Sequence, residues 1–221
     1  MMVTLGIAGL CSGLAIVGIF LVTQPMIERN RAEALEAAIY RVLEGAKTRV
    51  AYVLRDGKLT RFASPDNSLP KEEAVYAGYD KAGALVGFAV PAEGAGFQDT
   101  IKLLYGYNVK RKRVVGMEVL ESRETPGLGD KIIKDADFVG EFRDLAVKPE
   151  IVAVKGGSSR ANEVDAISGA TISSKAVVRI INESNQRWLK RLDASEGAAA
   201  AANGSSHDAA TSDRAARGGI D

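Results

Sequence analysis

The run from Asp165 to Lys175 reads Asp-Ala-Ile-Ser-Gly-Ala-Thr-Ile-Ser-Ser-Lys and places the hydroxyl of Thr171 where a loop meets an amphipathic helix. Small residues at 168–170 let a ligand approach the backbone closely, and the free N–H groups of a first helical turn favour an anion. Apolar residues then follow at helical spacing: Val177, Ile180, Ile181, Trp188 and Leu192. The pattern predicts a phosphate site, although capping of the helix by Ser168 or Thr171 explains the same residues.

A second motif covers residues 124–132 and reads Glu-Thr-Pro-Gly-Leu-Gly-Asp-Lys-Ile. Pro126 and Gly127 suit a type II turn, because proline fixes one φ and glycine adopts the positive φ that follows. Such a turn presents Thr125 and the backbone of Leu128 and Gly129. Without further information this segment is a tight turn and no more.

Together the two motifs resemble the FMN-binding domain family. Asp165-x-x-Ser168-Gly169-Ala170-Thr171 is similar to the flavinylation motif of that family, in which a separate flavin transferase joins the phosphate of FMN to the last threonine through a phosphoester. The resemblance implies covalent FMN on Thr171, with the backbone of Ser168, Gly169 and Ala170 around the phosphate. It also implies that Asp165 belongs to the motif that the transferase reads.

The resemblance extends to the second motif, which is similar to the flavin-contacting loop of the same family. It implies a set of cofactor-binding residues against the isoalloxazine or in the turn that carries them: Glu124, Thr125, Gly127, Leu128 and Gly129. The segment Gly94–Phe97 resembles the glycine-rich entry to the family's central strand, and a plain structural loop explains it equally well. When bound, the flavin carries the reactivity, and the protein positions it.

The first 22 residues are almost entirely apolar, and no charge precedes Glu28. At the rise of an α-helix this length suffices to cross the lipid bilayer. A cleaved secretory signal is the alternative, but a basic n-region is missing and the apolar run exceeds a usual h-region. We therefore expect an uncleaved anchor helix over residues 1–27 and a juxtamembrane helix over 28–47.

Composition excludes several classes of function. Hydrophobic residues make up 46% of the chain and the formal net charge is +1, so nothing favours nucleic-acid binding. The single cysteine, Cys11, lies in the apolar segment, and the single histidine, His207, lies near the C-terminus, which leaves no material for Cys/His metal sites or for catalytic triads. The basic run 110–113 is interpreted as a hairpin turn, with lipid headgroup contact as the alternative.

Short apolar or alternating runs between residues 49 and 121 predict strands, followed by mixed helix and loop and a long final helix. The expected fold class is α+β: an N-terminal transmembrane helix, an FMN-binding domain with a mostly antiparallel sheet over residues 48–192, and a closing C-terminal helix from 171 to 192. The residues at 193–221 are rich in alanine, glycine and serine, and we expect a disordered tail.

This layout resembles the G-subunit family of Rnf electron transport complexes, which is related to the C subunit of the sodium-pumping NADH:quinone reductase. The resemblance covers residues 1–192 and implies a flavoprotein subunit that relays electrons within a complex. That complex couples ferredoxin:NAD redox chemistry to ion translocation, and its A, B, C, D and E subunits are the implied partners. A stand-alone extracytoplasmic FMN-binding protein for another reductase and a non-redox anchored scaffold remain alternatives. Neighbouring genes that encode other Rnf subunits would separate the first function from the stand-alone protein. Absence of bound flavin would favour the scaffold.

Orientation is the point where charge and resemblance disagree. Arg29 and Arg31 follow the apolar segment and no basic residue precedes it, which weakly favours a cytoplasmic domain. Long domains cross the membrane largely regardless of charge, and the resemblance implies a single-pass protein of the cell inner membrane with its FMN domain in the periplasm. We follow the resemblance.

Overall fold

The computed structural model describes residues 2–55, 57–62, 70 and 72–216. Two compact units meet between Ala37 and Ala38. The first unit is helical and forms most of α1, which runs from Met2 to Val42 and continues through Pro25. The predicted boundary at residue 27 therefore falls inside one helix. Between Gly9 and Val42 this helix is long and apolar enough to cross a membrane, with a mean hydropathy of 1.9 in its most apolar part.

The second unit is built on a seven-stranded antiparallel sheet with the strand order β2-β1-β3-β4-β5-β6-β7. The strands are β1 (Thr48–Arg55), β2 (Lys58–Phe62), β3 (Ala74–Tyr79), β4 (Leu85–Ala95), β5 (Thr100–Asn108), β6 (Arg113–Glu121) and β7 (Leu145–Ala146). A separate parallel pair consists of β8 (Val152–Val154) and β9 (Glu163–Asp165). The α+β class and the mostly antiparallel sheet predicted from the sequence are confirmed.

Two short helices follow the large sheet: α2 (Lys131–Lys134) and α3 (Ala136–Gly140). Helix α4 begins at Thr171 as predicted but continues to Ala216, well beyond the predicted end at Leu192. Alanine has the highest helix propensity, and the run 198–202 consists of alanine, so the backbone after Asp193 continues the helix. The disordered tail expected over residues 193–221 stays a prediction, and residues 217–221 lie outside the described residues.

Helix α4 packs on one face of the sheet and buries the apolar residues that its periodicity predicted. Val177, Ile181 and Leu192 are fully buried, and Trp188 is 1% exposed. Tyr105 on β5 donates a hydrogen bond to Ser184 on α4 across 3.0 Å. Burial raises the pKa of Tyr105, so its hydroxyl stays protonated as the donor.

The opposite face of the sheet carries the last residues of α1. Four glycines on adjacent strands, which we call the α1 docking face, lie under Val42 and Leu43: Gly78, Gly87, Gly106 and Gly116. A Cβ on Gly78 would lie 2.7 Å from the Leu43 side chain, and one on Gly116 would lie 2.9 Å from the Val42 carbonyl oxygen. The glycines therefore allow the helix backbone to approach the sheet more closely than any side chain would permit.

Candidate functional site

Three segments meet beside one end of the large sheet. The hairpin loop 96–99 joins β4 to β5, and its ends are closed by a hydrogen bond from the Gly96 N–H to the Asp99 carbonyl at 2.8 Å. Lys102 of β5 pairs with Glu121 at the end of β6, so the chain leaving β6 passes this hairpin. The start of α4 completes the group. The antiparallel register thus brings the second motif beside this hairpin, and the Ser173 hydroxyl links the start of α4 to Glu124 of that motif.

Glu124 connects all three segments. One carboxylate oxygen accepts hydrogen bonds from the backbone N–H groups of Phe97 at 3.0 Å, Gln98 at 2.9 Å and Asp99 at 3.4 Å. The other accepts from the Ser173 hydroxyl at 2.5 Å. Burial by itself raises the pKa of Glu124, but the hydrogen bonds from Ser173 and from the loop N–H groups outweigh it, so the pKa is lowered and the carboxylate is charged.

Only 5% of Glu124 is exposed, and both of its oxygens are engaged by the protein. The carboxylate is therefore taken up by contacts within the protein, and a place for Glu124 against the isoalloxazine stays a prediction of the resemblance. Glu124 holds the hairpin, the second motif and α4 together. Gly129 has no room for a side chain beside it, since a Cβ there would lie 2.8 Å from Glu124 and 2.9 Å from the Ser173 hydroxyl.

The turn that follows Glu124 has the conformation that the sequence predicted. Gly127 adopts a φ of +77°, and the Leu128 N–H donates to the Thr125 carbonyl at 3.2 Å. The Thr125 hydroxyl donates to the Gln98 side chain at 2.9 Å, which ties the turn to the hairpin. The turn leaves the Leu128 side chain 51% exposed beside the start of α4.

Thr171 is the first residue of α4 and is half-buried. The loop before it is closed by Ser174, whose hydroxyl accepts from the Ile167 N–H at 3.1 Å and donates to the Ala170 carbonyl at 3.0 Å. Within the described residues, the hydroxyls of Ser168 and Thr171 form no hydrogen bond. The simple capping interpretation of these two hydroxyls is therefore wrong, and the Thr171 oxygen is available.

The start of α4 also presents unpaired donors. The first helical hydrogen bond runs from the Ser174 N–H to the Ala170 carbonyl at 2.9 Å, and in the described part of the chain the N–H groups of Thr171, Ile172 and Ser173 have no acceptor. Gly169 is exposed with a φ of +82°, so the loop bends without a side chain in front of these donors. This donor set fits a phosphate.

Sequence reasoning missed Lys131 as a site residue. Its ammonium nitrogen lies 4.0 Å from the position that a Cβ on Gly169 would occupy, and no described acidic residue pairs with it. Its neighbour Lys134 is paired with Asp130 at 2.5 Å, and this hydrogen bond is the main cause that lowers the pKa of Asp130. Lys131 lies within the quoted motif, but only the folded structure shows that its ammonium lies near the Gly169 loop.

Asp165 supports the loop from behind. Its carboxylate accepts from the Gly156 N–H at 3.1 Å, and its own N–H donates to the Glu141 carboxylate at 2.6 Å. With Lys131, Phe138 and Ser168 it lines a cavity of about 540 Å³ beside the Thr171 loop. The space next to the predicted phosphate site is therefore large and bordered by both charged and apolar groups.

Three exposed apolar side chains belong to the three segments of the site: Phe97 at 63%, Leu128 at 51% and Ile172 at 59%. By contrast Tyr105, Tyr107 and Trp188 are buried in the core, as aromatic residues at strand and helix spacing usually are. Among the described residues no group of acidic, cysteine or histidine side chains is arranged to hold a metal ion.

The fold and the site define a domain class, and comparison with known proteins agrees. Residues 96–186 match the FMN-binding domain. Two solved structures share the fold: NqrC of Shewanella oneidensis, with a TM-score of 0.60 and 21% identity over 75% of this chain and 99% of that one, and the C subunit of the Na⁺-translocating NADH-quinone reductase of Parabacteroides distasonis, with a TM-score of 0.56 and 22% identity over 74% and 94%.

Relatives identified by sequence point to one particular family of subunits. The G subunit of the Na⁺-translocating ferredoxin:NAD⁺ oxidoreductase complex of Acetobacterium woodii is 32% identical over 75% of this chain and 79% of its own length. The G subunit of the ion-translocating oxidoreductase complex of Methanosarcina acetivorans is 43% identical over 47% of this chain and 52% of its own. The chain belongs to this G-subunit family, although it spans about half the length of the first curated relatives that it matches.

Proposed function

We propose that this chain is a membrane-anchored flavoprotein subunit that carries FMN on Thr171 through a phosphoester and relays electrons in an Rnf-type complex. The complex couples ferredoxin:NAD redox chemistry to ion translocation. The observation that carries the proposal is the start of α4, where, among the described residues, the Thr171 hydroxyl forms no hydrogen bond and the first N–H groups are free, with the Lys131 ammonium near Gly169 of the preceding loop.

The phosphate site rests on complementary charge. Three free N–H groups and the positive end of the α4 dipole favour an anion at Thr171. Lys131 adds a cation on the open side of the Gly169 loop. Ser168, Gly169 and Ala170 shape this loop, and Asp165 fixes its base through the Gly156 N–H.

The ring site rests on the exposed apolar groups beside that loop. Leu128 lies next to Gly169, since its side chain is 3.8 Å from the position of a Cβ there. We assign Thr125, Gly127, Leu128 and Gly129 to the wall of the isoalloxazine site, and Glu124 to holding that wall in place. A flavin supplies one-electron and two-electron redox chemistry, while these residues bind it and exclude water.

A phosphoester on Thr171 retains the cofactor without modifying its redox ring. Retention matters for a domain outside the cytoplasm, which cannot readily recapture lost FMN. We assign the domain to the periplasmic side of the inner membrane, with α1 as its anchor and the other subunits of the complex as its redox partners. The long N-terminal helix supports the membrane anchor, and the G-subunit relatives support membership of a complex.

In-gel fluorescence tests the cofactor assignment. The full chain is co-expressed with a flavin transferase, denatured and separated on an SDS gel, beside Thr171→Ala and the matched control Thr60→Ala, which changes an exposed threonine of β2. We expect a fluorescent band in the wild type and in Thr60→Ala, and none in Thr171→Ala. A band that persists in Thr171→Ala would place the flavin elsewhere.

Protease accessibility tests the orientation. A membrane-impermeant protease is added to intact spheroplasts, and the FMN domain is followed with a C-terminal tag and with an internal antibody. We expect the domain to be digested. A domain that survives until the membrane is broken would be cytoplasmic.

A further inference from the structure

The basic run at residues 110–113 has no part in the proposed function. It forms the turn between β5 and β6, as the sequence predicted, and Lys110, Arg111 and Lys112 are exposed. The loop 96–99, which belongs to the Thr171 site, lies at the other end of β5, about 27 Å away along the strand. A ligand at this turn therefore leaves the flavin site free.

The turn is fixed by contacts on both of its sides. The Asn108 side chain donates to the Val86 carbonyl at 2.9 Å, and its oxygen accepts from the Arg111 N–H at 2.9 Å. The Asp144 carboxylate accepts from the Arg111 guanidinium, and its backbone carbonyl accepts from that of Arg113 at 2.6 Å. A turn held in this way loses little conformational freedom when it binds a ligand.

The turn carries an excess of positive charge. Its four basic residues meet one acid, Asp144, which pairs with Arg111 and, at 3.3 Å, with Arg113. Lys110 and Lys112 have no partner among the described residues. The net charge of the whole chain is only +1, so a local excess of three positive charges is a marked departure from the rest of the protein.

Charges on the neighbouring described segments do not offset this excess, because each segment brings as many bases as acids. The turn between β3 and β4 carries Asp80 and Lys81. Arg143 shares the wall of a cavity with Glu44. The groove after β7 is bordered by two lysines and two carboxylates. The positive charge is therefore concentrated on residues 110–113.

The turn offers no apolar surface to a partner. Val109 and Val114, which lie at its two ends, are 5% and 0% exposed. Protein–protein interfaces have apolar or aromatic centres and are poor in lysine, so another protein fits this turn badly. Clusters of lysine and arginine beside a membrane instead suit the phosphates of anionic lipid headgroups. The assignment of α1 as an anchor supplies the bilayer.

We propose that residues 110–113 are a contact site for anionic phospholipid headgroups. The Lys110 and Lys112 ammonium groups bind headgroup phosphates. The Arg111 and Arg113 guanidiniums, which Asp144 holds in place, contribute the N–H donors that the protein does not use. The contact rests on the proposed membrane anchor but not on FMN, and it gives the domain a second point of attachment to the bilayer.

Lysine labelling tests the contact in the full chain. The protein is inserted into nanodiscs of phosphatidylcholine alone or of an equal mixture with phosphatidylglycerol, treated with a membrane-impermeant acetylating reagent, and analysed by peptide mass spectrometry. We expect Lys110 and Lys112 to react at least about tenfold more slowly in the anionic discs, since each basic residue adds about fivefold to binding at an anionic surface. Lys58 and Lys155 are exposed and should react equally in both. High salt should abolish the protection.

Matched arginine variants sharpen this test. Arg111 and Arg55 each pair with one carboxylate, and their side chains are 57% and 55% exposed. We expect Arg111→Gln to weaken the protection of the two lysines about fivefold, and Arg55→Gln to leave it unchanged. Equal protection in the two variants would contradict a contact made by the turn.

Several results would overturn the proposal. Equal labelling of Lys110 and Lys112 in both kinds of disc would exclude the lipid contact alone, whereas a chain that fails to enter the discs would also exclude the anchor. Equal protection in neutral discs by glycerol phosphate would mark a small-anion site. Stronger protection by polyglutamate in neutral discs than by the anionic bilayer would mark a surface for an acidic protein.

Discussion

Both the α1 docking face and the Thr171 site depend on glycines that permit close approach, but the groups that approach differ. Under Val42 and Leu43 the glycines accommodate apolar side chains and a helix backbone, and the contact is closed. Around Glu124, Gly129 makes room for a buried carboxylate that holds three segments, while free N–H groups remain nearby. The first contact fastens one part of the protein to another, whereas the second leaves binding capacity for a ligand.

The largest effect should come from filling the docking face. In Gly106→Ala the new methyl group would collide with the Val42 carbonyl oxygen, a backbone atom that cannot move aside by rotation. We expect a loss of about 3 kcal/mol in the free energy of unfolding, measured by urea denaturation. Gly140→Ala is the control, because a Cβ there meets nothing within 4 Å. Equal stability of the two variants would show that the contact is loose.

Changing the buried carboxylate should have a smaller effect that also reaches the site. Glu124→Gln keeps the shape but removes the charge that accepts four hydrogen bonds, so we expect a loss of about 2 kcal/mol at neutral pH. We also expect slower attachment of FMN, since the segments around Thr171 lose their common partner. Gly106→Ala, which is remote from Thr171, should slow FMN attachment only to the extent that it raises the fraction of unfolded protein.

Acidic pH should remove the difference in stability between the wild type and Glu124→Gln. The pKa of Glu124 is lowered in the folded protein, so the folded state binds its proton less readily than the unfolded state, whose pKa is about 4.3. The stabilisation is then complete above that value and is lost as pH falls through the lower, folded pKa. Urea titrations of wild type and Glu124→Gln should therefore converge below about pH 4. A constant difference down to the acid transition would exclude a charged Glu124.

The two lysines of α2 offer a sharper comparison within the site. Lys131→Met removes the cation beside Gly169 and should lower the rate of FMN attachment about tenfold, because a charge-assisted contact to the phosphate is lost. Lys134→Met removes a lysine already paired with Asp130 and should leave the rate nearly unchanged. Lys131→Arg should restore most of it. In-gel fluorescence at early times measures all three rates, and equal rates for the two methionine variants would contradict a phosphate contact by Lys131.

The smallest loss of stability should come from a substitution at the edge of the α1 docking face. Arg41 forms a salt bridge with Glu118 at 2.5 Å, and both side chains are partly exposed to solvent. We expect Arg41→Ala to cost less than about 1 kcal/mol and to matter less at high salt. A larger, salt-independent loss would mean that the arginine stem packs as part of the docking.

The sequence predicted the long elements and the Thr171 joint because these depend on local patterns. Strands β1 to β6 lie in the region 49–121 where strands were predicted, to within one residue, and α4 begins at Thr171 as predicted. Strands β7 and β9 were missed, since two and three residues are too few to show a period. The partners of Glu124 and the position of Lys131 could not be predicted, because they join segments that lie far apart in the chain and meet only through the sheet register.

The most direct test of the central claim is the intact mass of the denatured full chain after co-expression with a flavin transferase, followed by peptide mapping. We predict that the wild type gains the mass of one FMN less one water, that the modified residue is Thr171, and that Thr171→Ala gains nothing. An unmodified wild type in the presence of active transferase, or a modified residue other than Thr171, would contradict the account.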